Sequence, residues 1–227
     1  ADGDADGDAD GDADGDADTG TDTTAANQLV GTVRDFLDTH PDFEAELGTD
    51  HGIVEDQLGD DGKPVYAGGD GTATTHGQEA FDQWFRDVPG VNESAPLVIE
   101  LENLEDDVWT YDDQEFFPID DALQGNEGRE HNYHFTYEIH TRFTYSGGEV
   151  FGFTGDDDLF VFVNGRLVID LGGVHGPQSA EADFDALADE LGIEAGGTYD
   201  LDFFFAERHT TQSTFRIDTT IAEFVVE

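Results

Sequence analysis

Tyr133–Tyr145 carries the clearest hydrophobic pattern in the chain. Tyr133, Phe135, Tyr137, Ile139, Phe143 and Tyr145 hold odd positions, and His134, Thr136, Glu138, His140, Arg142 and Thr144 hold even ones. A period of two over that length predicts a strand with one face on a core and one in water. Tyr199–Phe205 and Phe215–Phe224 alternate in the same way, and from Leu97 onward the chain reads mostly as strands. Leu159–Val163 is a short apolar run rich in Phe and Val; Asn164-Gly165 is a two-residue hairpin signal, and Leu167–Leu171 reads as the returning strand. Helical spacing is confined to three places. Leu29, Val33, Phe36 and Leu37 form one stripe with Pro41 at its exit; Phe81, Trp84 and Phe85 form another, with Thr75 as an upstream cap. Phe184, Leu187, Ala188 and Leu191, closed by Gly192, make the third. Residues 44–77 are rich in Gly and Asp and read as loop. Many strands, few helices and Gly-rich turns predict a mostly β fold, an antiparallel sandwich with a few short helices.

The N-terminus follows another rule. Residues 1–18 repeat Ala-Asp-Gly-Asp, placing Asp2, Asp4, Asp6, Asp8, Asp10, Asp12, Asp14, Asp16 and Asp18 at every even position. Extended, alternate residues point the same way, so the segment is a comb of carboxylates reaching about 56 Å at ~3.3 Å per residue. Such a segment has nothing to bury and is expected to be disordered without a partner. Asp2-Gly3-Asp4-Ala5-Asp6-Gly7 matches the opening half of a calcium loop, but no flanking helix or twelfth-position Glu follows, so it is not an EF-hand. It is more similar to the Asp-rich calcium repeats of thrombospondin type 3 arrays. Thr19–Thr24 is a polar linker. The chain therefore divides into residues 1–26, an extended Asp-rich tail with its linker, and residues 27–227, the sandwich domain.

Charge narrows the partners. The net charge is −47 with eight basic residues; residues 1–26 account for ten of the negative charges, which leaves −37 on the domain itself. A sequence-independent nucleic-acid binder needs Lys and Arg against phosphate, so that class is excluded. Anionic membrane surfaces are disfavoured, and no run of eighteen apolar residues inserts into a bilayer. Such charge density suits high salt, where screening is strong, or abundant divalent cations. The near-absence of Lys points to a halophilic setting and the Asp clusters to bound calcium. With no Cys there is neither a disulfide nor a thiolate metal site. A chain that begins at Ala1 and holds no Met fits a secreted, mature product.

Within this acidity one cluster stands apart. Asp156, Asp157 and Asp158 sit in a short turn between two predicted strands. Three adjacent carboxylates repel one another and resist desolvation beside a buried hairpin, whereas a hard cation removes that cost. A solvated acidic loop is the competing reading, and spacing alone leaves both open. Asp170 ends the second hairpin strand, where Gly172-Gly173 allows a bend back toward the turn; it either completes the site or caps a turn.

The residues also resemble a family. TVRDF (32–36), HPDFE (40–44), KPVY (63–66), WFRDVPGVN (84–92), FFPID (116–120), HNYHFTYE (131–138), GDDDLFVFVNGRLVIDLGGVH (155–175) and AERHTTQSTFRIDT (206–219) look like the fibro-slime domain, in order over residues 30–224. That domain resembles the protective-antigen-type β-sandwich of bacterial toxins, yeast flocculins and bacterial adhesins. In its sugar-binding members, two adjacent Asp joined by a cis peptide hold a calcium ion that also contacts glycan hydroxyls. Aligned on Asn164-Gly165, the pair falls at Asp156-Asp157, the expected ligand-binding residues, and Asp158 stands where many members have Gly. Asn132 and Glu207 lie in family motifs beside strands and are further candidate oxygen ligands.

Other chemistries fare worse. His131, His134, His175 and His209 invite a zinc reading, but His131 and His134 lie three apart in a strand and point to opposite faces. Among 55 acids some pair always meets the spacing of a glycosidase, so that criterion has no power, and no nucleophile elbow or phosphate loop appears. The chain is thus expected not to be an enzyme. Two functions remain. In one, a secreted calcium-binding structural protein self-assembles into extracellular filaments or matrix, its Asp comb bridging neighbouring copies through Ca2+. In the other, a cell-surface adhesin module binds carbohydrate through the ion at Asp156-Asp157. A chain complete in itself would favour the first reading, and a fragment of a longer protein the second.

Overall fold

The computed structural model describes residues 27–105 and 107–225; the Asp comb, and with it every candidate ligand from Asp2 to Asp18, lies outside them. The elements run β1 (Gln28–Phe36), β2 (Gly48–Thr49), α1 (Gln78–Phe81), β3 (Asn92–Glu100), β4 (Glu102–Glu105) and β5 (Val108–Asp113). They continue with β6 (Phe135–Thr144), β7 (Val150–Gly155), β8 (Asp158–Val163), β9 (Arg166–Leu171), β10 (Gly173–Val174) and β11 (Gln178–Asp183). The last four are α2 (Phe184–Leu191), β12 (Thr198–Glu207), β13 (Phe215–Thr219) and β14 (Phe224–Val225).

The strands form an antiparallel seven-stranded sheet, β3-β1-β6-β12-β8-β9 with β14 also paired to β6, and a five-stranded sheet, β11-β7-β13-β5-β4. The core between them takes alternate residues of each strand. Phe135, Tyr137 and Ile139 of β6, Leu159, Val161 and Val163 of β8, and Leu201, Phe203 and Phe205 of β12 meet Phe151, Phe153, Phe215 and Ile217 of the smaller sheet. Phe116, from the connection after β5, stacks on Phe215 at 4.4 Å. The hairpin signal is realised: Asn164 and Gly165 both take positive φ, 50° and 73°, the turn that matches strand twist. Asp183 caps α2 by accepting from the amides of Asp185 and Ala186, and Gly192 closes it in the left-handed region at φ 67°.

Three expectations are corrected. The stripe at Leu29–Leu37 is strand β1, not helix: a four-residue step is even, so it also keeps Leu29 and Val33 on one face of a strand. The Phe81–Phe85 stripe is helical only over Gln78–Phe81 and continues as turns. The even face of β6 does not meet water along its length, because Thr136 and Glu138 are buried. Ile53, Val54, Tyr66, Phe81, Trp84 and Phe85 form a second core there against Phe160, Phe162, Phe204 and Ala206. The segment between β1 and β3 is therefore a third layer, and β8 and β12 are buried on both faces, as their continuous apolar runs require.

Candidate functional site

The Asp156–Asp158 turn leads from β7 into β8, so both core sheets converge on it. The Asp156-Asp157 peptide is cis. All three carboxylates are buried, and backbone amides of three other segments fix them. Asp156 accepts from the Thr214 amide. Asp157 Oδ1 accepts from His175 N at 2.8 Å, and its Oδ2 from Arg208 N at 3.1 Å. Asp158 Oδ1 accepts from Gly173 N at 2.6 Å.

Asp158 differs from its neighbours in having a countercharge. Arg208, fully buried, donates Nε to Asp158 Oδ2 at 2.6 Å and Nη1 to the carbonyls of Asp42 and Thr74 at 2.9 and 2.7 Å. Its guanidinium lies 4.5 Å from the Trp84 ring centroid, and Trp84 Nε1 donates to Asp42 Oδ2 at 3.0 Å. Burial opposes the charge on Arg208, but Asp158 and Asp157 hold its pKa above the ordinary value. The pair locks the turn to the third layer. Sequence reading missed Arg208; its signal was a lone base in a strand-end motif of a chain holding eight bases.

Asp156 and Glu207 form no ion pair among the described residues, and Asp157 feels the Arg208 charge without a side-chain pair to it. Burial pushes the Asp157 carboxyl up to about 8, with Arg208 opposing and Asp158 adding to the rise. Asp156 is raised by burial as well. Glu207 is raised well above the carboxylate range by burial and by the charges of Asp157 and Asp156. Glu207 Oε2 and Ser213 Oγ are both buried without a hydrogen-bond partner among the described residues. Asp156 and Asp157, adjacent, buried and held up in pKa, are two oxygen donors of the kind a hard cation takes. No three His, Asp or Glu side chains among the described residues converge as a finished metal shell, so a cation here would rest on the Asp pair with backbone or solvent oxygens.

Other candidates are placed elsewhere. Asp158 is committed to Arg208 and Gly173. Asp170 lies under the adjoining loop and accepts from Gly52 N at 2.7 Å and Gly172 N at 2.9 Å. Asn132 is buried against Asp35, donating at 2.9 Å, and accepts from His134 N. His131 lies against Asp120, and His134 against Glu127 and Glu44, so carboxylates of the fold engage these imidazoles.

Outward from the turn lies a pocket of about 180 Å³. Asp156 and Asp157 form its floor, and Leu47, His175, His209, Thr210 and Gln212 form its rim. Leu47 is 72 % exposed there, an apolar surface beside hydroxyl, amide and imidazole groups.

The profile of the PA14 domain matches residues 109–223, which include β5 to β13, the acidic turn and Glu207. The chain belongs to the PA14 domain family. Among curated proteins, this PA14 chain is similar to protein psiD of Dictyostelium discoideum, 41 % identical over 210 residues that cover 85 % of this chain and 41 % of psiD. Protein psiR of the same organism is 40 % identical over 203 residues, covering 81 % of this chain and 20 % of psiR. The chain thus spans less than half the length of these relatives. Among solved structures it is similar to the PA14 sugar-binding domain of an RTX adhesin, with TM-score 0.33 and 12 % identity over 51 % of this chain and 71 % of that one. The PA14 domain of the antifreeze protein MpAFP gives TM-score 0.31 and 14 % identity, over 49 % of this chain and 65 % of the other. No helix among the described residues is long and apolar enough to cross a membrane.

Proposed function

We propose that this PA14 chain is a calcium-dependent carbohydrate-binding module of an adhesive protein, with Asp156 and Asp157 as its centre. The observation that carries the reading is the adjacent carboxylate pair, buried yet opening into a small polar pocket. Thr214, His175 and Arg208 amides fix the orientation of its oxygens. A calcium ion held there supplies a positive centre whose open positions accept sugar hydroxyls. The residues of the chain do the rest. Backbone amides pre-orient the pair, and Arg208 keeps Asp158 out of the pocket. Thr210, Gln212, His175 and His209 offer hydrogen-bond partners on the rim, and Leu47 offers an apolar face to the C–H side of a ring. The family match supports binding rather than turnover, and no catalytic role is assigned to any residue.

Calorimetric titration with CaCl2 followed by a glycan array in calcium and in EGTA tests this directly. Calcium at a hundredfold excess over Kd adds about 2.7 kcal/mol, a rise in Tm of roughly 5–10 °C for a domain of this size. Array signals are expected in calcium only. A protein that binds no calcium, or binds glycans equally in EGTA, overturns the reading.

A further inference from the structure

Within the third layer, the turns at residues 37–41 and 83–91 enclose a pocket of about 200 Å³. Leu37, His40 and Pro41 line one side of it, and Gln83, Gly90 and Val91 the other. Short bonds fix both sides. Trp84 Nε1 donates to Asp42 Oδ2 at 3.0 Å and ties one turn to the other. Residues 88–91 close on a bond from Val91 N to Val88 O at 3.0 Å, with Pro89 in second place and Gly90 at φ 82°, the pattern of a type II turn. Asn92 braces that turn, accepting from Val88 N at 3.0 Å and donating to the Gln83 and Arg86 carbonyls at 3.2 and 2.9 Å.

One polar group in this lining is unpaired. The His40 side chain is only 7 % exposed, its ring set edge-on against Phe36 and Phe43 at centroid distances of 5.3 and 5.1 Å. Its Nδ1 accepts from the Asp42 amide at 3.2 Å. An amide N–H can only donate, so Nδ1 is bare and the proton of the neutral ring sits on Nε2. Burial acts most strongly on this ring and lowers its basicity, against Asp42 and Gln83, so it stays neutral at pH 7. Nε2 has no hydrogen-bond partner among the described residues. With Nδ1 turned to Asp42, Gln83 acts on the ring from the Nε2 side, and Gln83 lines the same pocket. The unpaired donor therefore belongs to the pocket wall. A buried donor without a partner is a cost that an incoming acceptor removes.

The rest of the lining sets the class of ligand. Leu37, Pro41 and Val91 are apolar, and Leu37 is 37 % exposed. No charged side chain among the described residues lines the pocket, so an ion entering it would leave water and meet no countercharge. A plain hydrocarbon would cover the apolar wall and leave the Nε2 proton unpaired. A neutral molecule with an apolar body and one carbonyl oxygen satisfies both. The volume is near that of the apolar cavity of about 150 Å³ that takes benzene, so a single ring fits.

We infer that this pocket binds a small neutral carbonyl compound, a ketone, ester or lactam of about one ring, whose oxygen accepts from His40 Nε2 and whose apolar body lies on Leu37, Pro41 and Val91. The pocket shares no residue with the one at the acidic turn, so the inference stands apart from the calcium reading.

The test is NMR of the 15N-labelled full chain titrated with cyclohexanone and δ-valerolactam, and with methylenecyclohexane as the counterpart of the ketone that lacks its oxygen. At least one carbonyl probe should shift the amides of residues 37–40, 83, 90 and 91 and the His40 Nε2 resonance. Methylenecyclohexane should bind about tenfold more weakly than cyclohexanone, the loss of one hydrogen bond. His40→Phe keeps a ring between Phe36 and Phe43 without the donor, and should bind the two cyclohexane-type probes alike. That variant also frees the Asp42 amide, so Leu37→Ser, at an exposed position, is the second; it should weaken every probe about threefold through lost apolar contact. The inference is overturned if neither carbonyl probe moves these amides, if methylenecyclohexane binds the parent as tightly as cyclohexanone, if isobutyrate binds more tightly than both carbonyl probes, or if Leu37→Ser binds as the parent does.

Discussion

At the scale of the residue, the acidic turn sets charge against burial, and the sign of its pH dependence follows. Asp157 moves from an ordinary 3.8 up to about 8, chiefly through burial. The folded protein therefore holds a proton that the unfolded chain releases between those values. Stability from this group is fully present below the unfolded pKa, near 4, and is lost as pH rises through about 8. Asp156 and Glu207 shift in the same direction. Melts in EGTA from about pH 5 to about pH 8 should show a falling Tm, and saturating calcium should flatten the slope because the cation replaces the proton. A Tm that climbs with pH in EGTA contradicts this account. Asp157→Asn should remove this group's share of the pH slope and abolish the response to calcium. Arg208 behaves oppositely. Arg208→Met leaves Asp158 buried and unpaired, at a cost of about 3–5 kcal/mol, and adding Asp158→Asn should recover much of that loss in urea melts. A double variant no more stable than the single one would mean that Arg208 acts through Trp84 and the Asp42 and Thr74 carbonyls.

At the scale of the element, the short strand pair β10–β2 is what carries the third layer up to the turn. Gly173 holds φ at 120°, and a Cβ there would lie 2.3 Å from the Gly48 carbonyl oxygen while its own amide serves Asp158. Gly173→Ala should cost about 1–3 kcal/mol or more and weaken calcium binding. Gly176→Ala, where a Cβ meets nothing within 4 Å, is the control and should melt like the parent. The same elements show what a sequence discloses. β6, β8, β9, β12, β13 and α2 were legible because period two, the Asn164-Gly165 turn and the Gly192 stop are local signals. β1 was not, because Gly31 occupies an inward position pressed against the Glu138 carbonyl, where its missing side chain breaks the alternation. The third layer was also hidden, since Ile53, Val54 and Tyr66 are spaced by loop geometry and by no period. Of the candidate site, the Asp pair and Glu207 were singled out in the chain, and the fold buries all three. The commitment of Asp158 to Arg208 could not, because it joins residues fifty apart through a fold that decides which carboxylate turns inward.

At the scale of the whole molecule, the two cores and the buried Arg208–Asp158 pair are drawn from the described residues of the sandwich domain. The comb carries ten of the −47 charges with its linker and no base, so its removal lowers self-repulsion. A chain cut to residues 27–227 should therefore fold with an unchanged calcium response and glycan profile. Electron microscopy and sedimentation in millimolar calcium should show single particles for both lengths, as a binding module requires. Ordered filaments from the full chain that dissolve in EGTA, and that the shortened chain fails to form, would instead assign the comb the role of bridging copies through shared cations. Filaments from the shortened chain would move the contact onto the sandwich itself. The comparison separates the functions because they place calcium differently: adhesion needs one ion at a pre-oriented pair, whereas assembly needs many ions along a segment with no partner of its own charge.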